Sequence, residues 1–442
     1  MEKLVINGGK KLKGRVSVSG SKNVALKALV ACCLTQDEVI IKNVPLISDV
    51  FIMADIIREL GGRVDFKGHE VSVRVRELKS GKIFLDKAAE IRTSFMFFAP
   101  LLARLGKAVI PNPGGCRIGA RPIDRIIDGL SKMGASIKYN SEDGYFHAKA
   151  SSGLKGTSYR FIKNTHTGTE TLILSAVLAK GRTVLENAAL EPEVDELINL
   201  LNQMGAKIKR ERKRTIVVEG VKKLHGAKFE IGPDRNEIVT FAAAAILTEG
   251  DIFIKNIKKS GLLEFLDELK AIGGGFEEKK DGIRFYYKGE LSATNVETSC
   301  YPGFMTDWQG PWAVLMTKAK GISKIHETVY ENRFSYVEEL EKMGADFKLF
   351  NPKVNNPEEL YNFNIGDDDN FFHAVRIKGP IKLHNAVLDI SDLRAGATLV
   401  LAALAASGQS IIFGLPHLDR GYEKFSQRLK SLGADIHRVN DE

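Results

Sequence analysis

Long apolar stretches alternate with amphipathic ones along the chain. Stretches such as 23–34, 169–179, 236–247 and 395–406 are apolar at almost every position. A helix that is apolar all round is buried on all sides. Short segments such as 206–210 instead alternate apolar and charged residues, which predicts a strand with one exposed face. The pattern therefore predicts an α/β protein with helices inside and sheets around them.

A second set of helices carries one charged face, and each of these helices ends in the same way. An apolar residue is followed by Gly and then by Gly or Ala, and the first glycines of these sites are Gly61, Gly134, Gly205, Gly273, Gly344 and Gly433. Most successive glycines are about 70 residues apart, a period that indicates repeated structural units, here six. Glycine at such a position favours a left-handed helix C-terminus.

Three units amount to about 210 residues, an ordinary size for a domain. The repeat therefore predicts two domains, at 22–232 and 233–442. The longest interval contains an insertion at 350–377, which is rich in Asn, Pro and Asp and is typical of a polar loop or a long hairpin. Its aspartate run 367–369 lacks the alternating spacing of a calcium-binding loop, so we expect no metal there.

Composition narrows the class of protein. The 442 residues are 44% hydrophobic and carry a formal net charge of +9, which fits an anionic small molecule, a nucleic acid or a membrane surface as partner. Because the basic residues are spread along the chain, we favour the anionic small molecule. Four cysteines without a CxxC spacing argue against a disulfide scaffold or a structural zinc site. The first residues lack a signal-peptide core and the apolar runs are too short to span a membrane, so we expect a cytoplasmic protein.

Glycines and prolines crowd around one cysteine at 113–122. This composition favours turns and lies just before a helix predicted from 123 to 133. Arg121 close to Cys116 favours the thiolate, which is the reactive form of cysteine, and a loop that carries reactive groups is a natural lid. The alternative is a small buried cysteine in a surface turn, and composition does not separate the two.

Charged residues near predicted element ends supply further chemical groups. Lys22 opens the first apolar helix, either as an anion-binding group or as a solvent-facing lysine beside a helix cap. Asp307 lies in an aromatic stretch and is either a base with a raised pKa or an acid of the first helical turn. Arginines suit a substrate that carries phosphate and carboxylate groups, although each alone is most often a surface ion pair; those considered are Arg92, Arg121, Arg333, Arg394 and Arg420.

These residues, in this order, resemble the enolpyruvyl transferase family, and within it the UDP-N-acetylglucosamine 1-carboxyvinyltransferases. The resemblance covers nearly the whole chain and depends on the segments 19–23, 113–124, 186–189, 233–235, 306–309, 331–334, 392–395 and 419–423. It implies two inverted, inside-out α/β barrel-like domains, each of three repeated units with buried helices and outer sheets. Residues 1–21 would join the second domain, and the active site would lie in the cleft between the domains.

The resemblance also implies the reaction, the first committed step of peptidoglycan precursor synthesis. The enolpyruvyl group of phosphoenolpyruvate moves to the 3-hydroxyl of UDP-N-acetylglucosamine through a tetrahedral intermediate, and phosphate is released. Asp307 would deprotonate the hydroxyl, Cys116 would protonate the methylene carbon, and Lys22 would complete the catalytic set. Alkylation of Cys116 by the epoxide antibiotic fosfomycin is implied as well. No cofactor and no metal is expected, and the chain is expected to be a monomer or a weak homo-oligomer.

Substrate contacts follow from the same resemblance. The phosphate would be held by Lys22, Arg121 and Arg420, the carboxylate side by Arg333 and Arg394, and the reacting centre by Asn23. The sugar nucleotide would be lined by Arg92, Pro122, Ile123, Asp124, Arg125, Lys163, Asn164, Thr165, His166 and Val329, and Asp392 is a further predicted substrate contact. Departures from the family pattern gather near the nucleotide site, at Met96, Arg125, Ile126, Asn164 and Leu190.

Three other functions remain open at this point. The first is 5-enolpyruvylshikimate-3-phosphate synthase, which shares the fold but lacks the cysteine loop and has a Gly-Ser-Lys-Ser context around its lysine. The second is a relative that uses another sugar-nucleotide acceptor or is catalytically silent and regulatory. The altered nucleotide positions leave it open, whereas the retained Cys116, Asp307 and arginines argue against a silent protein. The third is a nucleic-acid-binding protein, which the positive charge permits but which no interleaving of aromatic and basic residues supports.

Overall fold

The computed structural model of the protein describes residues 2–114, 118–119, 123–366 and 370–440. Cys116, Arg121 and Pro122, for which the sequence predicts site roles, and the aspartate run 367–369 lie outside these residues. The described residues form two compact units. We call them the central unit, made of 20–114 and 123–232, and the terminal unit, made of 2–19, 118–119 and 233–440.

Strands and helices alternate in both units. In chain order the strands are β1 Glu2–Asn7, β2 Lys13–Ser17, β3 Val39–Lys42, β4 Arg63–Lys67, β5 Glu70–Arg74, β6 Lys107–Pro111, β7 Ser136–Asn140, β8 Tyr145–Lys149, β9 Ser158–Arg160, β10 Arg182–Glu186, β11 Lys207–Arg212, β12 Thr215–Glu219, β13 Lys228–Glu230, β14 Asp251–Lys255, β15 Gly275–Lys279, β16 Gly282–Tyr286, β17 Leu291–Ser292, β18 Asn295–Glu297, β19 Ala319–His326, β20 Asp346–Phe350, β21 Ala374–Gly379, β22 Val387–Asp389, β23 Gln409–Phe413 and β24 Asp435–Asn440.

The α-helices are α1 Lys22–Cys32, α2 Ser48–Glu59, α3 Leu85–Glu90, α4 Phe98–Leu105, α5 Asp124–Lys132, α6 His166–Ala176, α7 Pro192–Gln203, α8 Arg235–Leu247, α9 Leu263–Ala271, α10 Gln309–Lys318, α11 Val337–Glu341, α12 Pro357–Leu360, α13 Leu393–Ala405, α14 Leu415–Asp419 and α15 Phe425–Ser431. Short 3₁₀ helices at Arg92–Phe97 and Thr306–Trp308 lead into α4 and α10.

Three sheets form in each unit, within the described residues. Those of the central unit have the strand orders β13-β3-β5-β4, β6-β8-β7 and β11-β12-β10-β9. Those of the terminal unit have the orders β15-β16-β14-β2, β17-β19-β21-β20 with β18 also beside β19, and β22-β23-β1-β24. In most of them one strand runs parallel to an edge strand and antiparallel to the return strand of a hairpin, as β3 does between β13 and β5. This recurrence agrees with the repeated unit that the sequence predicts.

The chain begins in the sheets of the terminal unit. β1 lies between β23 and β24 and pairs antiparallel with both, so that Leu4 is opposite Ile412 on one side and Arg438 on the other. β2 runs parallel to β14. Two sheets of this unit therefore contain strands from widely separated parts of the sequence.

The repeated glycine signature has the predicted backbone geometry. Each first glycine follows the end of an amphipathic helix with φ between 87° and 100°, namely Gly61, Gly134, Gly205, Gly273, Gly344 and Gly433. L-amino acids with a side chain rarely adopt this left-handed region, whereas glycine enters it without a steric penalty. The same residue type therefore ends the second helix of each unit and turns the chain into the next strand.

The apolar helices form the interior of each unit. Every residue of α8 is buried, and only one residue at an end of each of α10 and α13 is not. These three helices pack against one another inside the terminal unit. In the central unit α1 and α6 are buried along almost their whole length. The adjacent Cys32 and Cys33 also belong to this core, because both are 0% exposed.

The insertion at 350–377 is built on a hairpin. β20 and β21 pair antiparallel from Asp346↔Lys378 to Phe350↔Ala374. Beyond this pair the described residues include the one-turn helix α12. Among the described residues, 351–366 and 370–373 contain no strand, so the insertion is the loop that connects the two strands of this hairpin, as the polar-loop alternative expects.

Candidate functional site

The interior helices of the terminal unit begin close to one another. Asp234 accepts hydrogen bonds from the first amides of α8, and Asp392 does the same for α13. The 3₁₀ turn Thr306–Trp308 precedes α10 and carries Asp307. Side-chain contacts join these starts, because Asn236 of α8 and Arg394 of α13 both reach Asp307. Polar groups thus gather at one end of an otherwise apolar helical core.

Asp307 accepts hydrogen bonds from three side chains. Arg333 Nη2 is 2.9 Å from Oδ1, while Arg394 Nε and Asn236 Nδ2 are each 3.1 Å from Oδ2. Asn236 is itself fixed by the indole N–H of Trp308, which donates to its Oδ1 at 3.1 Å. The Asp307 side chain is 22% exposed. The carboxylate is held in one orientation and still reaches solvent.

Both arginines of this cluster are buried and stay charged. Burial opposes the charge of Arg333, but Asp307, Asp392 and Glu327 outweigh it and raise the pKa of the guanidinium. The pKa of Arg394 is also raised, against the effect of burial, chiefly by Asp307. Arg394 Nη1 donates to the Tyr422 hydroxyl at 3.2 Å, and that hydroxyl is 2.9 Å from Thr240 Oγ1. A bidentate cation with a fixed orientation is suited to a carboxylate or phosphate group.

Glu327 organises the segment that follows β19. Its Oε1 accepts the backbone amides of Val329 at 2.8 Å and Tyr330 at 3.0 Å. Its Oε2 accepts from Thr306 Oγ1 at 2.8 Å and Gln309 Nε2 at 2.6 Å. Glu327 is 1% exposed, so these four donors compensate the burial of the carboxylate. Val329 is therefore tied through Glu327 to the turn that carries Asp307.

The central unit has a comparable polar helix start. Ser21 caps α1, and Lys22 Nζ lies 2.7 Å from Asp49 Oδ2 with both side chains almost completely buried. One turn further along α1, Lys27 Nζ is 3.2 Å from Glu170 Oε2, and the other oxygen of Glu170 is 3.2 Å from His166 Nε2. Charged side chains thus join the middle of α1 to the start of α6.

The segment before α6 is held by side-chain contacts. Thr165 caps α6 by accepting the Gly168 amide at 3.1 Å. Asn164 Nδ2 donates to the Asn187 carbonyl at 3.2 Å, and Arg125 Nη1 donates to the Asn164 carbonyl at 3.5 Å. Arg125, Asn164 and Thr165, three of the residues predicted to line the nucleotide site, are therefore neighbours in the central unit.

Similarity to known proteins identifies the family of this chain. The family model described as EPSP synthase (3-phosphoshikimate 1-carboxyvinyltransferase) matches residues 6–429. The chain belongs to the enolpyruvyl transferase family. Its membership makes it a transferase, as the sequence analysis expected.

Curated members of this family are similar to the chain along its full length. A UDP-N-acetylglucosamine 1-carboxyvinyltransferase of Koribacter versatilis is 40% identical over 445 residues, which are 100% of this chain and 97% of the relative. Enzymes with the same name from Endomicrobium trichonymphae and Bartonella henselae are also 40% identical to this chain. The two alignments include 100% and 99% of this chain, respectively, and 100% of each relative. These matches confirm the resemblance to UDP-N-acetylglucosamine 1-carboxyvinyltransferases that the sequence motifs indicate.

Solved structures of enolpyruvyl transferases share the fold. NikO from Streptomyces tendae superposes with a TM-score of 0.86 at 24% identity and covers 100% of this chain and 99% of its own. EPSP synthase from Acinetobacter baumannii superposes with a TM-score of 0.71 at 18% identity, with 100% of both chains covered. The predicted inside-out α/β architecture is thereby confirmed.

The structure brings together some of the residues that the family resemblance predicts. Asp307, Arg333 and Arg394 form one cluster, and Asp392 caps the helix that carries Arg394. Arg420 follows α14 directly. Arg92 opens a 3₁₀ helix, Asn23 lies in the first turn of α1, Ile123 and Asp124 begin α5, and Lys163 precedes the α6 start. The functional roles of these residues stay predictions, and Cys116, Arg121 and Pro122 lie outside the described residues.

Several residues of these clusters escaped the sequence analysis. Asn236, Tyr422 and Asp49 each contact a predicted site residue. Tyr422 lies in the motif segment 419–423 with Arg420, and membership in this motif could have indicated that it belongs to the site. Glu327 and Glu170 have no such signal, because nothing in their local sequence shows that the carboxylates are buried and shared.

Across the described ranges, no group of three or more His, Cys, Asp or Glu side chains could hold a metal ion. In the same ranges no helix is both long and apolar enough to cross a membrane.

Proposed function

We propose that this protein transfers the enolpyruvyl group of phosphoenolpyruvate to the 3-hydroxyl of UDP-N-acetylglucosamine and releases inorganic phosphate. The observation that carries the proposal is the 40% identity, over 100% of the chain, to relatives named for this reaction. The Asp307 cluster supports it, because a carboxylate between two fixed guanidinium groups matches a reaction of anionic substrates. The product would feed peptidoglycan precursor synthesis, which we place in the cytoplasm.

Asp307 is the proposed base for the acceptor hydroxyl. Its two arginine contacts stabilise the charged form that accepts a proton, and Asn236 keeps Oδ2 in a fixed direction. As the hydroxyl oxygen bonds to C2 of phosphoenolpyruvate, the hydroxyl proton passes to Asp307 and another proton is added to the C3 methylene. We assign that second proton to Cys116, as the family resemblance implies. The product is a tetrahedral intermediate at C2.

The cationic side chains are proposed to stabilise the second half of the reaction. When the C2–O bond to phosphate breaks, C3 returns a proton to the Cys116 thiolate left by the first step, and negative charge gathers on the departing phosphate. We assign this phosphate to Lys22, Arg121 and Arg420, and the substrate carboxylate to Arg333 and Arg394. Because Arg333 and Arg394 are almost completely buried, their orientation is set before the substrate binds, which lowers the reorganisation that the reaction requires.

The test is phosphate release from phosphoenolpyruvate by the purified protein, with and without UDP-N-acetylglucosamine. We expect release only when the sugar nucleotide is present, and a loss of about a hundredfold or more in Asp307→Asn, the range for a general base. Asp251→Asn is the matched control, since Asp251, the first residue of β14, forms a partly exposed pair with Arg284.

Other results would point elsewhere. Release with 3-phosphoshikimate in place of the sugar nucleotide would assign the chain to the sister activity within the family. Binding of the sugar nucleotide without phosphate release would identify a catalytically silent member. Undiminished release in Asp307→Asn would remove that residue from the role of base.

A further inference from the structure

Three ionisable side chains form a buried cluster between α1 and α6 in the central unit. Glu170 is 0% exposed, and its two oxygens each lie 3.2 Å from a cationic group, Lys27 Nζ on one side and His166 Nε2 on the other. The side chain of Lys27 is 6% exposed and that of His166 is 21% exposed. We call these residues the Lys27–Glu170–His166 cluster. Of these three residues, the family resemblance gives a role only to His166, as a lining residue of the sugar-nucleotide site.

Burial of these charges fixes their ionisation. A buried carboxylate stays ionised only where positive partners or hydrogen-bond donors replace the lost water. Burial works against ionisation of Glu170, but His166 and Lys27 outweigh it and lower the pKa of the carboxyl. Burial and Lys27 lower the pKa of His166, but Glu170, helped by Glu191, outweighs them and raises it. The charged groups facing the ring are therefore Glu170, Lys27 and Glu191, and their net effect favours the imidazolium.

The position of His166 makes this ionisation unusual. His166 is the first residue of α6, directly after the capping residue Thr165. The positive end of a helix disfavours a cation at that place, so the carboxylate of Glu170 one turn further on is what offsets this effect. Nε2 is the ring nitrogen that lies 3.2 Å from Glu170 Oε1, so Nδ1 remains for a ligand among the described contacts. His166 and its neighbours 163–165 are predicted to line the sugar-nucleotide site.

We propose that Glu170 is a positioning residue for the acceptor, holding His166 as an oriented imidazolium whose Nδ1–H donates to the diphosphate of the sugar nucleotide. Lys27 balances the second negative oxygen of Glu170 and keeps the carboxylate in place. Glu170 acts through His166 and does not touch the substrate. This inference rests on the proposed function for the identity of the ligand, but its first step, the effect of Glu170 on His166, is independent of it.

The proposal has a defined dependence on pH. Because the pKa of His166 is raised in the folded protein, the ion pair contributes fully below the ordinary histidine pKa of about 6.5 and is lost as the pH rises through the raised value. Binding of a diphosphate to the imidazolium would raise that pKa further. A shift of one unit corresponds to about tenfold tighter binding to the charged ring than to the neutral ring.

The first experiment measures the pKa of His166 by NMR of the protein labelled with ¹⁵N at its histidine rings. His166→Gln identifies the signal among the nine histidines. The test variant is the double substitution Glu170→Gln with Lys27→Met, which removes the anion without leaving Lys27 as an unpaired buried cation. We expect a pKa above the ordinary value in the unsubstituted protein and at or below it in the double variant. Equal values in the two proteins would overturn the proposal.

The second experiment adds ligands to the same samples. UDP-N-acetylglucosamine and UDP should raise the pKa of His166, whereas uridine, which lacks the diphosphate, should not. At pH 7.5 the double variant should bind UDP-N-acetylglucosamine about three- to tenfold more weakly, and at pH 5.5 the difference should shrink because both rings are then protonated. The value of kcat at saturation should change little, while KM for the sugar nucleotide rises.

A purely structural role for the cluster predicts a different set of results. The loss in affinity would then be the same at both pH values, and His166→Gln in the double variant would cause a further loss. Under the proposal that third substitution adds nothing at pH 7.5, where the ring of the double variant is already neutral. If UDP binds without moving the pKa of His166, the contact to the diphosphate is refuted. If neither UDP nor UDP-N-acetylglucosamine binds, the proposed acceptor fails, and the ligand-free titration still decides whether Glu170 controls His166.

Discussion

Arg394 contacts Asp307 through Nε at 3.1 Å and, with its Nη1, reaches the Tyr422 hydroxyl at 3.2 Å. One planar guanidinium therefore joins the carboxylate at the start of α10 to a tyrosine near α15. Its fixed plane allows both contacts at once, which a lysine ammonium at the end of a flexible chain cannot reproduce. The pair defines the orientation of the cation before any substrate is present.

Arg394→Lys should lower kcat/KM for phosphoenolpyruvate by about tenfold to a hundredfold, which corresponds to the loss of one to two charge-assisted hydrogen bonds. Steady-state phosphate release measures this effect. Arg428→Lys is the control, because Arg428 is also largely buried and its guanidinium lies 2.6 Å from a Glu237 oxygen. This pair does not include Asp307. A similar drop in both variants would mean that destabilisation, and not the orientation of Arg394, explains the result.

Tyr422→Phe removes the hydroxyl that Arg394 and Thr240 share. We expect KM for phosphoenolpyruvate to rise a few-fold and the free energy of unfolding to fall by about 1 kcal/mol, the usual effect of one hydrogen bond. Tyr336→Phe offers a comparison, since the Tyr336 hydroxyl donates to Gln309 Oε1 at 2.8 Å and contacts neither arginine. It should show the stability loss without the change in KM, and an unchanged KM in Tyr422→Phe would contradict the role assigned to the tyrosine.

Glu327→Gln places an amide where four donors now converge on a carboxylate. At least one donor must then face an N–H group, so we expect a loss of about 2 kcal/mol in unfolding free energy. The Val329–Tyr330 segment should also lose its fixed position, which raises KM for UDP-N-acetylglucosamine more than KM for phosphoenolpyruvate. Glu290→Gln, at an exposed pair with Lys320, should change neither quantity. Equal effects on the two KM values would show that Glu327 does not act on the acceptor side.

The hairpin insertion braces the same segment. The Asn362 amide donates to the Thr328 carbonyl at 2.7 Å, and the Glu327 amide donates to the His373 carbonyl at 2.7 Å. Tyr361, which packs on the rings of Phe363 and His373 and hydrogen-bonds His326 at 3.0 Å, holds this part of the insertion together.

Tyr361→Ala should therefore lower the melting temperature and raise KM for the sugar nucleotide. Phe372→Ala, on the same insertion but 49% exposed, should do neither. Calorimetric scans measure the melting temperature of both variants, and steady-state kinetics measure KM for the sugar nucleotide. If Tyr361→Ala lowers stability alone, the insertion supports the fold and has no part in acceptor binding.

The two adjacent core cysteines should be inert in the native protein. Burial raises the pKa of Cys33 to about 12, against a smaller opposing effect of Arg104, and raises that of Cys32 as well. Since the thiolate is the reactive form, native alkylation should spare both residues. Peptide mapping after iodoacetamide treatment should find them labelled only in denaturant, whereas fosfomycin should modify the Cys116 peptide of the native protein. Native modification of Cys32 or Cys33 would contradict the buried position of the thiols.

Periodic features of the sequence predicted the fold well, because they reflect local requirements. The glycines at Gly61 and its five counterparts mark a backbone geometry that only glycine adopts readily. The apolar stretches predicted the interior helices to within about three residues, as for 23–34 against Lys22–Cys32. Both signals depend on near neighbours in the chain and so are readable without a structure.

The polar contacts were not predictable in the same way. Asp307 meets Arg394 across 87 positions and Asn236 across 71, and no local pattern encodes such pairings. The motifs named Asp307, Arg333 and Arg394 as members of one site through the family resemblance, but not which atoms meet. Lys27 and Glu170 were read as members of apolar helices, because charged residues at single positions do not change the period that predicts burial.

The pairing of β1 between β23 and β24 also has a consequence for biosynthesis. Asn7 and Gln409, whose side chains hydrogen-bond across this sheet, are 402 positions apart. The central unit is complete once residue 232 has left the ribosome, whereas the sheet that contains β1 must wait for the last strands of the sequence. Non-local pairing of this kind is slow because the intervening loop must close first. We therefore expect β1 to depend on chaperones or on a late folding step, long after its own synthesis.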